Sequence, residues 1–214
     1  KVQNLRITNN MGILLDCQTK TDGELVILTL ENSGYFACLI ERYEEKLLRF
    51  IRRISGVNIQ DAEDVLQEVF IKVYKNLNAY DNNLKFSSWI YRITRNYVIS
   101  EFRKKKSRGE VFLVDEEWNI FVSDLNIETE FDKEIDKEIL LKVLDKIDIK
   151  YREVLVLKFL EGYNYKEISD ILKKPVGTVG TLINRAKRKL RQEISVRGLI
   201  HPLADKTKNK IIKI

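Results

Sequence analysis

With 214 residues, 44% of them hydrophobic, the chain has apolar content for one large core or two small ones and is globular rather than fibrous or disordered. Its net charge of +6, from 38 Lys and Arg against 32 Asp and Glu, is modest, so the distribution of charge along the chain says more than the total. Two cysteines, Cys17 and Cys38, without Cys-x-x-Cys spacing, and a single histidine suggest neither a zinc site nor a disulfide framework. A reducing cytosol fits this usage. No apolar run approaches the roughly 18 residues that span a bilayer, and no signal-peptide pattern is present, so a cytoplasmic protein without membrane association is expected.

In chain order, residues 1–20 have little periodicity and are expected to be unstructured. Thr21 and Glu24 make a capping-box signature, after which Leu25, Leu28, Phe36, Leu39, Leu47, Leu48 and Ile51 mark two amphipathic helices separated near 32–34. Residues 61–77 continue the helical pattern, with Val65, Val69 and Val73 on one stripe and Asp61, Asp64, Gln67 and Glu68 on another. A loop over 78–88 precedes a further helix at 89–103. Between 108 and 134 acidic residues dominate (Glu110, Asp115, Glu116, Glu117, Asp124, Glu128, Glu130, Asp132 and Glu134 against Arg108 and Lys133), the composition of a flexible linker. Helical periodicity resumes at Ile135, Ile139, Leu140, Val143 and Leu144 and again at Tyr151, Val154, Leu155 and 157–160. Sheet signals are nearly absent. The expected fold is all-α: two small helical domains, 21–107 and 135–197, joined by the acidic linker, with a frayed tail at 198–214 that carries His201.

The most informative stretch is 175–191. Val179, Ile183, Ala186 and Leu190 fall on one side of a helix, while Thr178, Thr181, Asn184, Arg185 and Arg188 fall on another, and Pro175 suits the first helical position. A shorter amphipathic segment, 165–172, precedes it, with only Lys173 and Lys174 between. This is a helix-turn-helix pattern. From 173 to 197 eight basic residues face one acidic residue, Glu193, which concentrates positive potential where a second helix enters the major groove. Thr181, Asn184 and Arg185 have the chemistry to read base edges, and the lysines, Lys187 among them, to hold phosphates. A merely solvated basic helix would need no such short partner.

A second nucleic-acid signal lies between 80 and 108, where aromatics alternate with Asn82, Asn83 and Asn96 and end on a basic cluster, 103–106 plus Arg108. That mixture suits unpaired DNA, whose bases stack on aromatic faces while the backbone tracks positive charge. Phe86, Trp89 and Ile93 are expected to pack inward. Tyr80, Asn82, Asn83, Lys85, Asn96 and Arg103 are the candidates for contact.

Three segments in order, DAEDVLQEVF at 61–70, FSSWIYRITRN at 86–96, and Gly177-Thr178-Val179 with Arg185-Ala186-Lys187, resemble bacterial RNA polymerase sigma factors of the extracytoplasmic-function class within the sigma-70 family. The resemblance covers 21 to about 196. It implies a region 2 that docks on the clamp of the largest polymerase subunit and opens the −10 element, and a region 4 that meets the flap of the second subunit and reads the −35 element. Asp61, Asp64, Gln67 and Glu68 become the polymerase-binding face, and an anti-sigma factor becomes a candidate partner. Two promoter elements roughly 17 base pairs apart lie about 58 Å from one another at 3.4 Å per pair, within reach of a linker that extends to about 90 Å. The acidic linker is expected to thread a basic channel of the polymerase. Lys173 stands where the family usually has glycine, which implies either a positive φ at a cost of about 1 kcal/mol or a different turn. Gly180 and Leu182 replace residues that are often basic. The alternative of another kind is a free-standing helix-turn-helix regulator. No nucleophile–base pair, metal cluster or phosphate-binding glycine loop can be assembled, so neither an enzyme nor a cofactor is expected.

Overall fold

The protein, seen in a computed structural model, is described over residues 17–107, 143–144 and 146–196. Among the described residues every regular element is helical, in keeping with the missing sheet signals.

Helix α1 (Asp22–Glu31) starts on the capping box: the Glu24 N–H donates to Thr21 Oγ1 at 3.3 Å and the Thr21 N–H donates to Glu24 Oε2 at 2.7 Å. A 3₁₀ turn, Ser33–Tyr35, reverses the chain where the apolar period breaks. Helix α2 (Phe36–Ser55) then runs 20 residues and ends at Gly56, whose φ of 75° makes a left-handed cap. Helix α3 (Ile59–Lys75) and helix α4 (Phe86–Ser107) complete a bundle in which α1, α3 and α4 all pack on α2. Leu39, Leu47, Phe50, Ile51, Ala62, Val69, Val73 and Ile90 form its fully buried centre. Helix α4 begins three residues before the expected Trp89. Phe86, Trp89 and Ile90 are all buried, so the i, i+3, i+4 stripe starts at Phe86 and shortens the loop.

Two expectations for the N-terminal segment are corrected. Cys17 and Cys38 form a disulfide, with Cα atoms 5.5 Å apart across a separation of 21 residues. Folding of α1 back along α2 brings them together, which spacing alone does not reveal. Residues 17–20 are held as well: Arg42 Nη2 donates to the carbonyls of Cys17 and Lys20 at 2.7 and 3.0 Å.

In the C-terminal half, α5 (Ile149–Leu155) passes into a π-helical turn, Val156–Leu160, closed by the Glu161 N–H on the Val156 carbonyl at 2.9 Å. Gly162, with a φ of 75°, breaks it off. Helix α6 (Tyr165–Leu172) carries a second capping box, Asn164 with Glu167, and helix α7 (Val176–Val196) follows the turn. Lys173 adopts the left-handed conformation, φ 51° and ψ 48°. Pro175 sits one residue outside the expected position: its carbonyl accepts the Val179 N–H at 3.0 Å, the role of a residue flanking the helix.

The halves do not stand apart as two separate bodies. Helix α4 packs against α6, and the C-terminal end of α2 packs against α5 and the π turn, so a single apolar cluster runs from Leu25 to Ile194. The last turn of α2 shows what this does to polar groups. Arg53 and Ser55 are buried, and Arg152 Nη1 donates to the Ile54 carbonyl at 3.2 Å, satisfying a helix-end acceptor from the other half. The linker at 108–134, the periodicity at 135–140 and the tail at 198–214 lie outside the described residues; of the segment before α5, Val143 and Leu144 are described, and both are buried.

Candidate nucleic-acid and polymerase interfaces

Helix α7 divides along its length. Val179, Ile183, Ala186, Leu190 and Ile194 are fully buried, whereas Thr178, Thr181, Asn184, Arg185 and Arg188 are all exposed on the outer face. The Thr181 hydroxyl donates to the Gly177 carbonyl at 3.0 Å, which leaves its oxygen free to accept. Lys187 differs from the phosphate role given to it. Four residues after Ile183, it borders the apolar stripe, half-buried, with Nζ 5.3 Å from the Phe159 ring centroid. Gly180 is half-buried beside Tyr165: a Cβ there would sit 3.7 Å from Tyr165 Cε1, an ordinary contact.

The −10 candidates gather on the loop before α4 and along that helix. Phe86 and Trp89 are buried, with ring centroids 5.5 Å apart, as expected; Ile93 is partly buried against the same core. Tyr80 joins them more than a contact residue was expected to. Its ring lies 5.3 Å from Phe86 and 5.4 Å from Trp89, its hydroxyl donates to the Leu84 carbonyl at 2.6 Å, and burial raises its phenol pKa. Asn82, Asn83, Asn96 and Arg103 are exposed, and the Asn83 side chain donates to Asp81 Oδ1 at 2.9 Å. Lys85 Nζ lies 2.6 Å from Glu167 Oε1 on α6.

Sequence reasoning missed the groups that join the halves. Arg95 clasps Glu153 with two bonds, Nε to Oε2 at 2.8 Å and Nη2 to Oε1 at 3.0 Å. Arg53 Nη1 lies 2.8 Å from Glu161 Oε1, with both side chains nearly inaccessible at 6% and 7%, and the Tyr91 hydroxyl donates to Glu161 Oε2 at 2.7 Å. Burial pulls the Arg53 pKa down against the opposing pull of Glu161, and burial pushes the Tyr91 phenol up. For Glu167, burial alone would raise the carboxyl; hydrogen bonds from Lys85 and the Asn164 N–H outweigh it and hold the carboxyl below its ordinary value. No sequence signal marks these partners, which come together only through packing of the halves.

On α3, Asp64 and Glu68 are exposed and Asp61 and Gln67 half-buried, with Asp61 in the first turn where the helix dipole favours an anion. The same face continues one turn on into Ile71 and Tyr74, each 45% exposed.

A helix-turn-helix with one face fully buried, set behind a bundle with a polar aromatic loop, defines a two-part DNA-binding protein. The family description Sigma-70 region 2 matches residues 39–108 and Sigma-70, region 4 matches 137–190. The ECF RNA polymerase sigma factor SigW of Bacillus subtilis is 36% identical over 170 residues, covering 74% of this chain and 88% of the relative. The ECF RNA polymerase sigma-E factor of Escherichia coli is 29% identical over 167 residues, covering 74% and 86%. The chain belongs to the extracytoplasmic-function RNA polymerase sigma factors. Two solved structures share its fold: CnrH in complex with the cytosolic domain of CnrY (TM-score 0.60, 23% identity, 82% of this chain and 97% of that one) and the sigma factor RpoE with the anti-sigma factor NepR from Bartonella quintana (TM-score 0.56, 22% identity, 75% and 97%).

Proposed function

We propose that the chain binds core RNA polymerase through the α3 face and directs it to promoters, with α7 reading −35 duplex and the 80–85 loop, Asn96 and Arg103 holding the melted −10 strand. The observation that carries this reading is the division of α7, whose five polar candidates are all exposed while the stripe Val179, Ile183, Ala186, Leu190 and Ile194 is buried. On this reading region 2 is about 21–107 and region 4 about 135–197, where the family descriptions match 39–108 and 137–190. A free-standing helix-turn-helix regulator accounts for α7 but gives no use to Asp64, Glu68, Ile71 and Tyr74 on one exposed face. Its partners are the polymerase clamp and flap and promoter DNA, and its place of action is the cytoplasm, where both reside. An anti-sigma factor is a further partner, since NepR is described as one in its complex with a relative of the same fold. The protein acts by binding, without a catalytic step of its own.

The test is copurification with core polymerase. Reversing charge in Asp64→Arg with Glu68→Arg abolishes copurification and leaves thermal unfolding nearly unchanged, because exposed charges contribute little to stability. Undiminished copurification of a folded double variant would remove α3 from the docking surface.

A further inference from the structure

The disulfide of the N-terminal bundle is out of keeping with the compartment in which a polymerase subunit works. Small thiols keep cytosolic cysteines reduced, and the disulfides that do occur there are for the most part transient, catalytic or redox-sensing. Cys17 and Cys38 nevertheless stand in bonding position, with Cα atoms 5.5 Å apart and both residues buried. We propose that Cys17 and Cys38 form a reversible thiol–disulfide site that, when closed, fixes the segment bracing the 80–85 loop and, when open, releases it. The inference rests on the promoter reading above for its compartment and its DNA strand.

The path from sulfur to loop is short. Arg42 lies one turn beyond Cys38 on the same side of α2 and gathers the segment that Cys17 begins. Its guanidinium donates to the carbonyls of Cys17 and Lys20 and, at 2.5 Å, to Asp22 Oδ1. The Tyr43 hydroxyl donates to the other Asp22 oxygen at 2.5 Å, and the Tyr43 ring lies 5.5 Å from Phe86, which in turn lies 5.3 Å from Tyr80. One residue past Asp22, Gly23 abuts the loop itself: a Cβ there would stand 3.9 Å from Asn82 Oδ1. The place where α1 begins therefore sets the place of the −10 candidates Tyr80 and Asn82. With the sulfur bond open, 17–20 rest on hydrogen bonds to a guanidinium that water also reaches, and such a segment opens locally.

The reaction is exchange with a low-molecular-weight disulfide. Cys38 is enclosed within α2, so local opening of 17–20 presents Cys17 first. Its thiolate attacks one sulfur of the small disulfide and expels one small thiolate. The Cys38 thiolate then attacks the Cys17 sulfur of the mixed disulfide and expels the second. The protein dithiol is oxidised by two electrons, and the small disulfide is reduced to two thiols, which take up the two protons the cysteines lose.

The measurements use the full chain, equilibrated in mixtures of reduced and oxidised glutathione that span the cytosolic poise. Thiol alkylation followed by mass spectrometry reads the closed fraction, amide hydrogen exchange reads the 80–85 loop, and fluorescence anisotropy reads affinity for labelled mixed-sequence single-stranded DNA. We expect half-closure inside the span and faster exchange over 80–85 in the reduced form. If the released brace is in place about one-third of the time, reduction weakens strand binding about three-fold. Cys17→Ser should match the reduced wild type in every buffer. A bond that stays closed, or stays open, across the whole span overturns the site. Loop exchange and strand affinity that are the same in both states overturn the brace, and so does a redox response that survives in Cys17→Ser. Should that variant fail to fold, the two states of the wild type still decide. Strand binding in neither state would sink the promoter reading, while alkylation and loop exchange still decide for or against the redox site.

Discussion

Replacing Glu161 tests how the halves hold one another. The Arg53–Glu161 pair is nearly dry, and Glu161→Ala leaves a buried guanidinium without its carboxylate and the Tyr91 hydroxyl without its acceptor. Removing one partner of such a pair costs about 3–5 kcal/mol if the other stays buried. Orphaning a buried hydroxyl costs about 1–3 kcal/mol within that figure. One route limits the loss: the halves separate and water reaches Arg53, so the cost cannot exceed the free energy of docking. A double-mutant cycle of Arg53→Met and Glu161→Gln, read by denaturant unfolding, is expected to give a coupling of about 2–3 kcal/mol. The exposed Arg49–Glu45 pair, with Glu45 at 83% exposure, serves as the internal standard and should couple by no more than about 0.5 kcal/mol. Equal coupling in the two pairs would refute the claim that Glu161 anchors the interface.

Three further outcomes follow from single positions. Arg185→Ala should weaken binding to the specific −35 duplex by about 1–3 kcal/mol with little effect on a scrambled one, while Arg188→Ala should weaken both alike and reduce the salt slope by about one; Lys187→Ala should leave the salt slope unchanged, because that ammonium sits over Phe159. Gly180→Ala should stabilise α7 by about 1 kcal/mol, since the added Cβ finds an ordinary contact with Tyr165, and a fall in melting temperature would show that the helix cannot take it. Glu167, with its carboxyl held below the ordinary 4.5, contributes docking stability that is present above that value and lost as pH falls through the lowered one. The docked form should accordingly be insensitive between pH 6 and 8 and weaken below about pH 4.5, and scattering that shows no less acid-induced opening in Glu167→Gln would discount this carboxylate.

What the sequence revealed and what it hid divide by range. The Thr21 capping box and the two faces of α7 were legible because each depends on residues within about two helical turns, whereas the left-handed Lys173 was suggested only by the family's usual glycine there. Hidden were the Cys17–Cys38 disulfide and the pairs Arg53–Glu161, Lys85–Glu167 and Arg95–Glu153, which depend on how helices cross after folding. Lys187 was misplaced for a finer reason: a lysine flanking the apolar stripe is free to lay its stem and ammonium on a neighbouring aromatic, and charge counting along the chain is blind to that choice. Ile71 and Tyr74 went unremarked because they continue the stripe of Asp64, Gln67 and Glu68, off the period of the core residues, and only the fold shows them uncovered.

The sequence separations of the interface bonds set an order of events in time. Arg95 meets Glu153 across 58 residues, Lys85 meets Glu167 across 82 and Arg53 meets Glu161 across 108, whereas each half is assembled from neighbouring helices. Closing such long loops waits on chain diffusion, so local helix pairs form first and the halves dock last. On the ribosome, at about 5–20 residues per second, the N-terminal bundle emerges seconds before its acidic partner exists. During that interval Arg53, Lys85 and Arg95 meet the cell uncovered.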